Sequence, residues 1–279
     1  MTLDYLAIGH LTIDHMPQGL TAGGSVAYAS RTAELLGMRA GVVTAAGDAL
    51  DWDHHLPGIE IARFGCRETT TFENVYQTDK RLQRLLALAD PVPIAAVPRE
   101  WADSSIVHLA PVVGEISGEF AGLFTQSLMG LTPQGLFRYW DDSGMVSLGP
   151  WKGDDSLLSS CEVVILSRED MAGDPTFLHR CLEQVPVVVV TQGDRGAILY
   201  HHRKPKRFLA YPVKEVDPTG AGDVFAAGFL IEYYRTDDPS RSAAFACCTA
   251  SFAVEQPGLN GIPTREAVEE RLERYQSLL

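Results

Sequence analysis

The sequence predicts an α/β fold with a mostly parallel central sheet. Short runs that are almost wholly apolar, typical of strands buried on both faces, alternate along the chain with stretches of helical character. This repeated strand-then-helix order is typical of a parallel sheet covered by helices on both faces. A third observation is a glycine-rich turn within residues 217–230 that opens directly into an apolar helix.

The first part of the chain supplies two strands and one helix. Leu3 to Ile8 is an apolar run that stops at Gly9, and Gly41 to Ala46 is a second short run. Between them, Ala27 to Leu36 has a helical pattern. This pattern ends at Gly37, the position where a glycine usually closes a helix.

Residues 64–92 differ in character from the stretches around them. The sequence TTTFENVYQ is rich in threonine and aromatic residues and partly alternates, as an exposed β ribbon would. RLQRLLALA follows, mixes basic with apolar residues, and is compatible with either a strand or a helix. We therefore interpret residues 64–92 as an excursion from the main domain.

The rest of the chain returns to the alternating pattern. The predicted elements are a strand at 105–110, a helix at 115–128, a strand within 129–138, a strand at 162–166, a helix at 178–184, a strongly apolar strand at 185–191 and a final helix at 263–279. Thr264 is the predicted N-cap of that last helix.

Length and composition are those of an ordinary globular protein. The 279 residues are 46% hydrophobic and 21% charged, which is enough for a sizeable core. A net charge of −13 argues against a general binder of nucleic acid or of anionic membranes. The five cysteines form no CxxC pair and indicate reduced thiols. Because the start MTLDYLAIGH lacks a basic region and no apolar run approaches the length of a membrane span, we expect a cytoplasmic protein.

The stretch DPTGAGDVFAAGFL at residues 217–230 has the features of a phosphate site. Asp217-Pro218 opens a turn, because the residue before a proline is disfavoured in helical conformation. The glycines then lead into a helix whose first turn contains Asp223. The amides of residues 220–223 and the positive end of the helix dipole would converge on one point, which attracts phosphate.

Asp223 adds a chemical function to this anion site. A carboxylate beside a bound phosphate accepts the proton of a hydroxyl that attacks the phosphate. The structural alternative is a glycine-rich turn with an acidic residue favourably placed in a first helical turn.

The full string resembles the C-terminal signature of ribokinase-like (PfkB-type) carbohydrate kinases. The resemblance implies a three-layer α/β/α sandwich with a small β lid. It also implies a single domain over residues 1–279, with lid excursions at approximately 10–20 and 64–92. Asp223 would be the catalytic base, and Gly220, Ala221 and Gly222 would form the anion hole. Lids in this family can pair, which leaves a homodimer as an expectation.

The acceptor site implied by the resemblance lies near the N-terminus. Asp14 follows Gly9 at the spacing of the family's first substrate element and would bind substrate hydroxyls. Gly23 and Gly24 match the family's di-glycine motif at a helix entrance. Tyr28 stands where the family often has an asparagine, and an aromatic ring there would cover an apolar face of the acceptor. On local sequence alone, a solvated loop acid is the favoured interpretation of Asp14.

The nucleotide site implied by the resemblance is formed by two later stretches. Thr191, Gly193 and Gly196 follow the most apolar strand and would border the ATP phosphates and ribose, together with Gly222. Cys247 stands at a common adenine-contact position. The structural alternatives are a hairpin turn for residues 193–194 and a small buried residue for Cys247.

The residues at the family's two cation sites resemble the family pattern less closely. The family pattern at residues 167–170 helps to hold Mg²⁺ through water, and here Asp170 or Glu169 would supply the carboxylate. An exposed acidic helix start is an equally good interpretation. Asp217 and Thr219 match the family's loop for a monovalent cation such as K⁺, although Ile262 occupies a position that often supplies an oxygen ligand.

The implied function is transfer of the γ-phosphate of ATP to a hydroxyl of a sugar, polyol or nucleoside. Thr132 and Gln134 are neutral variants of a family strand end, and His108 is more typical of a core residue. A catalytically silent sugar or nucleotide sensor on the same fold is the alternative, against which Asp223 argues. A dinucleotide oxidoreductase is disfavoured, because GxGxxG is missing after the first strand, and no Gly-Lys pair exists for a P-loop.

Overall fold

The computed structural model describes residues 2–16, 19–77 and 80–276. Its strands are, in chain order, β1 (Tyr5–Ile8), β2 (Thr12–Met16), β3 (Gly19–Gly23), β4 (Ala40–Ala46), β5 (Glu60–Gly65), β6 (Thr71–Gln77), β7 (Lys80–Ala87), β8 (Ile106–Leu109), β9 (Leu128–Leu131), β10 (Arg138–Trp140), β11 (Val146–Leu148), β12 (Val163–Ser167), β13 (Val187–Thr191), β14 (Ala197–His201) and β15 (Lys204–Phe208). Its α-helices are α1 (Ser25–Leu35), α2 (Trp52–His55), α3 (Asp155–Ser160), α4 (Phe177–Gln184), α5 (Ala221–Thr236), α6 (Pro239–Ala253) and α7 (Arg265–Gln276).

The central sheet has the order β15-β14-β13-β12-β9-β8-β1-β4-β5. All neighbours from β13 to β5 are parallel, and β14 and β15 are added antiparallel at one edge. The predicted α/β fold with a mostly parallel sheet is therefore confirmed.

Both faces of the central sheet are buried, which explains why its strands are apolar throughout. In β13, Val187 and Val189 pack into one core cluster while Val188 and Val190 pack into the other. Helices α1, α5, α6 and α7 cover the first face, and α3 and α4 with irregular segments cover the second. This arrangement has three layers, and it explains why the strands show no polar alternation.

A second sheet of four strands, which we call the lid sheet, has the order β3-β2-β6-β7. Its strands are residues 12–16, 19–23, 71–77 and 80–87, so they lie within or beside the predicted excursions at 10–20 and 64–92. Its first hairpin continues to Gly23, beyond the expected boundary, and positions 17, 18, 78 and 79 of the excursions lie outside the described residues. The ambiguous stretch RLQRLLALA falls mostly in strand β7.

A small hairpin, β10–β11, connects the main domain to the lid sheet. Arg84 of β7 forms a β-bridge with Met145, and the Leu85 amide donates to the Gly144 carbonyl at 2.8 Å. Val146 packs beside the buried ring of Phe72. The hairpin therefore occupies part of the free edge of β7, an arrangement that protects an edge strand.

The prediction of a helix at residues 115–128 is wrong. The structure has only a short 3₁₀ segment at Gly118–Gly122, because two glycines weaken any helix there. Glu115 also serves another purpose. Its buried carboxylate accepts hydrogen bonds from the amides of His10, Val112 and Val113, at 2.8 to 3.0 Å.

The predicted C-terminal helix is present as α7, and the Thr264 hydroxyl lies 3.5 Å from the amide of Ala267, consistent with an N-cap. Residues 277–279 of that prediction are outside the described residues. None of the five cysteines is in a disulfide. Among the described residues, no helix has the length and apolar character required to cross a bilayer.

The hairpin contact yields a stability prediction. Gly144 has φ +79°, and a Cβ there would collide with the carbonyl oxygen of Leu85. Gly144→Ala should therefore lower the free energy of unfolding by about 1–3 kcal/mol, measured by urea denaturation. The control is Gly65→Ala, where a Cβ meets no atom within 4 Å. Equal stability of the two variants would contradict the role assigned to Gly144.

Candidate active site

A cavity of about 1400 Å³ lies beyond the carboxyl ends of the parallel strands. Thr132 after β9, Ser167 at the end of β12 and Thr191 at the end of β13 all line it. Parallel sheets place their ligand sites at this edge. The predicted site residues that line the cavity are Asp14, Gly24, Tyr28, Glu169, Asp170, Thr191, Gly193, Gly196, Thr219, Gly220, Ala221, Gly222, Asp223 and Cys247. Gly23 and Asp217 do not line it.

The turn that opens α5 has the geometry of an anion site. Gly220 is the N-cap with φ +77°, and Gly222 and Asp223 lie in the first helical turn, where amides lack intrahelical acceptors. The Ala221 amide differs from the expectation, because it donates to the Pro218 carbonyl at 3.2 Å. The amides of Gly222 and Asp223 are therefore better placed than that of Ala221 to hold a phosphoryl group.

Asp223 is a partly buried carboxylate on the cavity wall. Burial raises its pKa to about 6, and the negative charge of Asp170 adds to this. A hydrogen bond from the Ser25 hydroxyl and the positive charge of Arg138 act in the opposite direction. A carboxylate with this pKa is mostly ionised near neutral pH and is a stronger base than an exposed aspartate, as general-base catalysis requires.

Arg138, at the start of β10, is a site residue that the sequence analysis missed. It lines the cavity, donates to the Val112 carbonyl at 3.1 Å, and its guanidinium carbon lies 5.6 Å from the centre of the Phe72 ring. Its charge lowers the pKa of both Asp223 and Asp170. The available signal was a basic residue shortly after the TPQ strand end in a chain of net charge −13.

Close packing explains the two glycines of the predicted acceptor site. A Cβ on Gly23 would lie 2.5 Å from the Oδ2 atom of Asp14, which is on the neighbouring strand β2. Gly24 is the N-cap of α1 with φ +95°, and a Cβ there would lie 2.5 Å from the His10 carbonyl oxygen. Gly23 thus leaves room for the Asp14 carboxylate at the cavity wall, and Gly24 leaves room for the backbone of His10.

Tyr28 lies deeper than a residue that covers an acceptor would require. Its side chain is only 4% exposed and belongs to a cluster with Val224, Ala253 and Ile262. A Cβ on Gly220 would collide with the Tyr28 ring, so the ring supports the turn that opens α5. Contact between Tyr28 and an acceptor stays a prediction.

The predicted nucleotide loop is both a hairpin connection and part of the cavity wall. Residues 192–196 join the antiparallel strands β13 and β14, and the Gln192 amide donates to the Gly196 carbonyl at 2.7 Å. Gly196 has φ +86°, and a Cβ would collide with the carbonyl oxygen of Phe208. Gly193 has φ +59° with open space around it, which leaves room for a ligand. The alternatives of hairpin and ligand loop are therefore compatible with each other.

Cys247 is 5% exposed in α6 and lines the cavity together with Ala250, Ser251 and Val254. Burial raises the pKa of its thiol to about 12, so the sulfur stays protonated and acts as a small apolar group. These four residues form a mostly apolar wall, which suits a flat base.

Two carboxylates fit the chemistry of a magnesium site. Glu169 is exposed and Asp170 is buried, and both line the cavity beside β12. The Ser167 amide donates to Asp170 Oδ2 at 2.9 Å, while burial raises the pKa of Asp170. In the described part of the chain, no three His, Cys, Asp or Glu side chains cluster as a metal cage. Mg²⁺ bound to phosphates needs only one or two protein carboxylates.

The predicted monovalent-cation residues belong to a tight turn. Asp217 Oδ1 accepts the Thr219 amide at 2.9 Å, and the amides of Val216 and Asp217 donate to the Val254 carbonyl at 2.7 and 3.2 Å. The turn is thereby tied to the end of α6. A K⁺ site at these residues stays a prediction.

Burial of Asp223 predicts that the site destabilises the fold. A pKa raised from 3.8 to about 6 means that ionisation disfavours the folded state, so this contribution to stability is lost as pH rises from about 4 to about 6. At about 1.4 kcal/mol per pKa unit, and with the Ser25 hydrogen bond weakened, Asp223→Asn should raise the unfolding free energy at pH 7.5 by about 1–3 kcal/mol.

Urea denaturation of the wild type and the variant at pH 4.5, 6 and 7.5 measures this effect. The increase in unfolding free energy that Asp223→Asn causes should become smaller as the pH falls to 4.5. The exposed Asp142→Asn is the control, since it removes the same charge without burial. A pH-independent difference, or an equal gain in the control, would contradict burial as the cause.

Comparisons with known proteins show which sequences and folds this chain is similar to. The sequence pattern of pfkB family carbohydrate kinases matches residues 162–265, which include the whole α5 signature. A nucleoside kinase of Methanocaldococcus jannaschii is 38% identical over 97 residues, which are 34% of this chain and 32% of that protein. A cytidine kinase of Thermococcus kodakarensis is 26% identical over 262 residues, covering 84% of this chain and 89% of that protein.

The match to the M. jannaschii kinase thus spans about a third of that relative's length, whereas the match to the cytidine kinase spans most of it. Among solved structures, a ribokinase of Thermotoga maritima has a TM-score of 0.75 at 21% identity and covers 97% of this chain and 99% of that one. A structure described as the conversion of a pyrophosphate-dependent myo-inositol-1 kinase into a myo-inositol-3 kinase has a TM-score of 0.77 at 19% identity, and the match covers 97% of this chain and 99% of that one. Residues 162–265 of this chain are thus similar to the pfkB family of carbohydrate kinases, and the whole chain has the ribokinase-like fold.

Proposed function

We propose that this protein transfers the γ-phosphate of ATP to a hydroxyl of a sugar, polyol or nucleoside, with Asp223 as the general base. The observation that carries the proposal is the position of Asp223. Its carboxylate, with a pKa of about 6, lies in the first turn of α5 on the wall of the large cavity. A silent sensor would have no use for a buried carboxylate that destabilises the fold.

In the proposed reaction, the acceptor hydroxyl attacks the γ-phosphorus while Asp223 takes its proton. Negative charge then spreads over the oxygens of the moving phosphoryl group. The amides of Gly222 and Asp223 and the positive end of α5 stabilise that charge. The charge of Arg138, which already acts on Asp223 and Asp170, adds to this stabilisation.

Magnesium would be held by Asp170 and Glu169 and would neutralise charge on the ATP phosphates when bound. The mostly apolar wall of Cys247, Ala250 and Val254 supports a donor that carries a base. Solved neighbours include a ribokinase complexed with ribose and ATP and a kinase described as pyrophosphate-dependent. A comparison of ATP with pyrophosphate as donor therefore belongs in the first assay.

The acceptor end of the cavity suits a molecule with several hydroxyl groups. The carboxylate of Asp14 accepts several hydrogen bonds at once, which is how carboxylates hold vicinal hydroxyls. Polar and apolar groups surround this end, namely Thr12, Phe72, Gln83, Val112, Gln134 and Val146. Relatives are named as nucleoside, cytidine and inositol 3-kinases, and these names set the panel of acceptors to test.

The role of Asp223 leads to a kinetic prediction. Asp223→Asn should bind ATP within a few-fold of wild type but lower kcat by about 10²–10⁴, the usual contribution of a general base. In the wild type, kcat/KM should fall about tenfold per pH unit below about pH 6, because the protonated carboxyl cannot accept a proton. Steady-state kinetics with ATP and Mg²⁺ from pH 5 to 8 test both effects.

Gly222→Val is the contrasting variant. A Cβ at Gly222 meets no protein atom within 4 Å, so the fold should accept it, but the side chain would occupy space proposed for phosphate and weaken ATP binding. Unchanged turnover in Asp223→Asn would rule out this mechanism.

Asp14 should act mainly through acceptor binding. Loss of a pair of charge-assisted hydrogen bonds is worth on the order of 2–4 kcal/mol. Because these bonds exist in ground and transition states alike, Asp14→Ala should raise the acceptor KM strongly and lower kcat less. Asp14→Asn keeps one carbonyl oxygen, so its acceptor KM should lie between those of the wild type and Asp14→Ala. An acceptor KM that is equal in all three proteins would place Asp14 outside the acceptor site.

A further inference from the structure

Three polar side chains form a buried chain that ends at the cavity. Tyr5 in β1 and His108 in β8 are both 0% exposed, and Thr132 follows β9. The Tyr5 hydroxyl lies 2.6 Å from His108 Nδ1, and His108 Nε2 lies 3.0 Å from Thr132 Oγ1. The mechanism proposed above uses none of these three groups.

Tyr5 is the donor in the first of these hydrogen bonds. Burial, and then the negative charge of Asp223, raise the pKa of Tyr5 well above its ordinary value, so the phenol keeps its proton. Among the described residues, His108 is the hydrogen-bond partner of this hydroxyl. A separation of 2.6 Å is also typical of an O–H donor and short for an N–H donor. His108 Nδ1 therefore accepts.

The acceptor role of Nδ1 determines the tautomer of His108. Burial lowers the pKa of His108 to about 3, so the ring is neutral. A neutral imidazole that accepts at Nδ1 carries its hydrogen on Nε2. That hydrogen is donated to Thr132 Oγ1, and 3.0 Å is an ordinary N–H···O distance.

The hydroxyl hydrogen of Thr132 is then left for a ligand. The oxygen accepts from His108, and within the described ranges no carbonyl or carboxylate accepts from this hydroxyl. The residue lines the cavity and is 9% exposed. A hydroxyl oxygen that accepts one hydrogen bond keeps its own hydrogen and a second lone pair, and this hydrogen is available for donation to a ligand in the cavity.

The position of Thr132 associates it with the acceptor. A Cβ on Gly135, three residues later, would lie 2.5 Å from backbone atoms of Pro111 and Val112. Val112 packs with Phe72 of the lid sheet, and both line the cavity. The turn that begins at Thr132 is therefore packed with the lid side of the cavity, whereas the 191–196 loop follows β13, two strands from β9 in the central sheet.

We propose that Tyr5 and His108 position the Thr132 hydroxyl as a hydrogen-bond donor to an oxygen of the phosphoryl acceptor, which makes Thr132 a specificity-determining residue. The class of acceptor is one that presents an oxygen lone pair at this point, such as a ring hydroxyl or a carbonyl. This inference rests on the proposed kinase function for its last step only, because the acceptor role of Thr132 Oγ1 toward His108 follows from the two buried hydrogen bonds.

The first experiment tests the buried hydrogen-bond chain from Tyr5 through His108 to Thr132 without any substrate. Nitrogen NMR of histidine-labelled protein, with the His108 signals assigned by loss in His108→Gln, reports the tautomer directly. We expect a neutral ring with hydrogen on Nε2 from pH 5 to 8, and a change in the His108 nitrogen shifts in Tyr5→Phe. Hydrogen on Nδ1, or a protonated ring, in the wild type would contradict the assigned directions of the two hydrogen bonds.

The second experiment tests the role toward the acceptor, with cytidine and myo-inositol and their deoxy analogues as probes and ATP as donor. Thr132→Val should lower kcat/KM for the acceptor about fivefold to tenfold, the value of one hydrogen bond. It should also reduce the preference for the acceptor over one of its deoxy analogues, while the KM for ATP stays within about twofold. Thr132→Ser should recover most of the loss, since the hydroxyl is retained.

The outcomes separate the two proposals. Equal acceptor kinetics in Thr132→Val and the wild type, or an effect confined to the KM for ATP, would overturn the role of Thr132. If the wild type phosphorylates no acceptor, the proposed function fails and the acceptor role of Thr132 fails with it. In that case the tautomer measurement still tests the hydrogen-bond chain from Tyr5 through His108 to Thr132.

Discussion

Burial of the Asp223 carboxylate is the constraint to which the rest of the site responds. A charged group removed from water is unfavourable unless hydrogen bonds or opposite charges compensate, and its pKa shifts accordingly. Here the Ser25 hydroxyl, the charge of Arg138 and the first turn of α5 provide partial compensation. The compensation is incomplete, and the pKa of about 6 is the result. The same incompleteness that weakens the fold makes the carboxylate a useful base near neutral pH.

The glycines of the site have packing reasons in addition to any role toward ligands. Gly24 and Gly196 adopt positive φ and pass close to carbonyl oxygens of His10 and Phe208. Gly220 also has positive φ, and the ring of Tyr28 fills the space where its side chain would be. Tyr28 is on helix α1, and Gly220 is the N-cap of α5. This contact therefore links the element next to Asp14 with the element that carries Asp223.

The lid sheet and the main domain are connected by side-chain and backbone contacts as well as by the chain segments that run between them. Hairpin β10–β11 contributes Arg138, contacts strand β7 and provides Val146 to the cavity wall. The stacked Arg138 and Phe72 bring a main-domain cation against a lid side chain. The lid sheet thus contacts Arg138, whose charge lowers the pKa of Asp223.

The sequence by itself determined the features that arise from local order along the chain. Apolar runs without alternation predicted strands buried on both faces, and the spacing from Asp217 to Asp223 predicted a glycine turn opening a helix, because both depend on neighbours in sequence. The residues predicted at the carboxyl ends of strands line one cavity, with the exceptions of Gly23 and Asp217.

Only the tertiary structure decided features that depend on residues distant in sequence. The predicted helix at 115–128 is absent, since Glu115 is taken up by amides of other segments and the following glycines do not sustain a helix. Arg138 joins the site through a hairpin that local patterns did not indicate. The buried position of Tyr28 and the chain from Tyr5 through His108 to Thr132 depend on contacts between elements up to 192 residues apart, such as Tyr28 with Gly220, which no local pattern encodes.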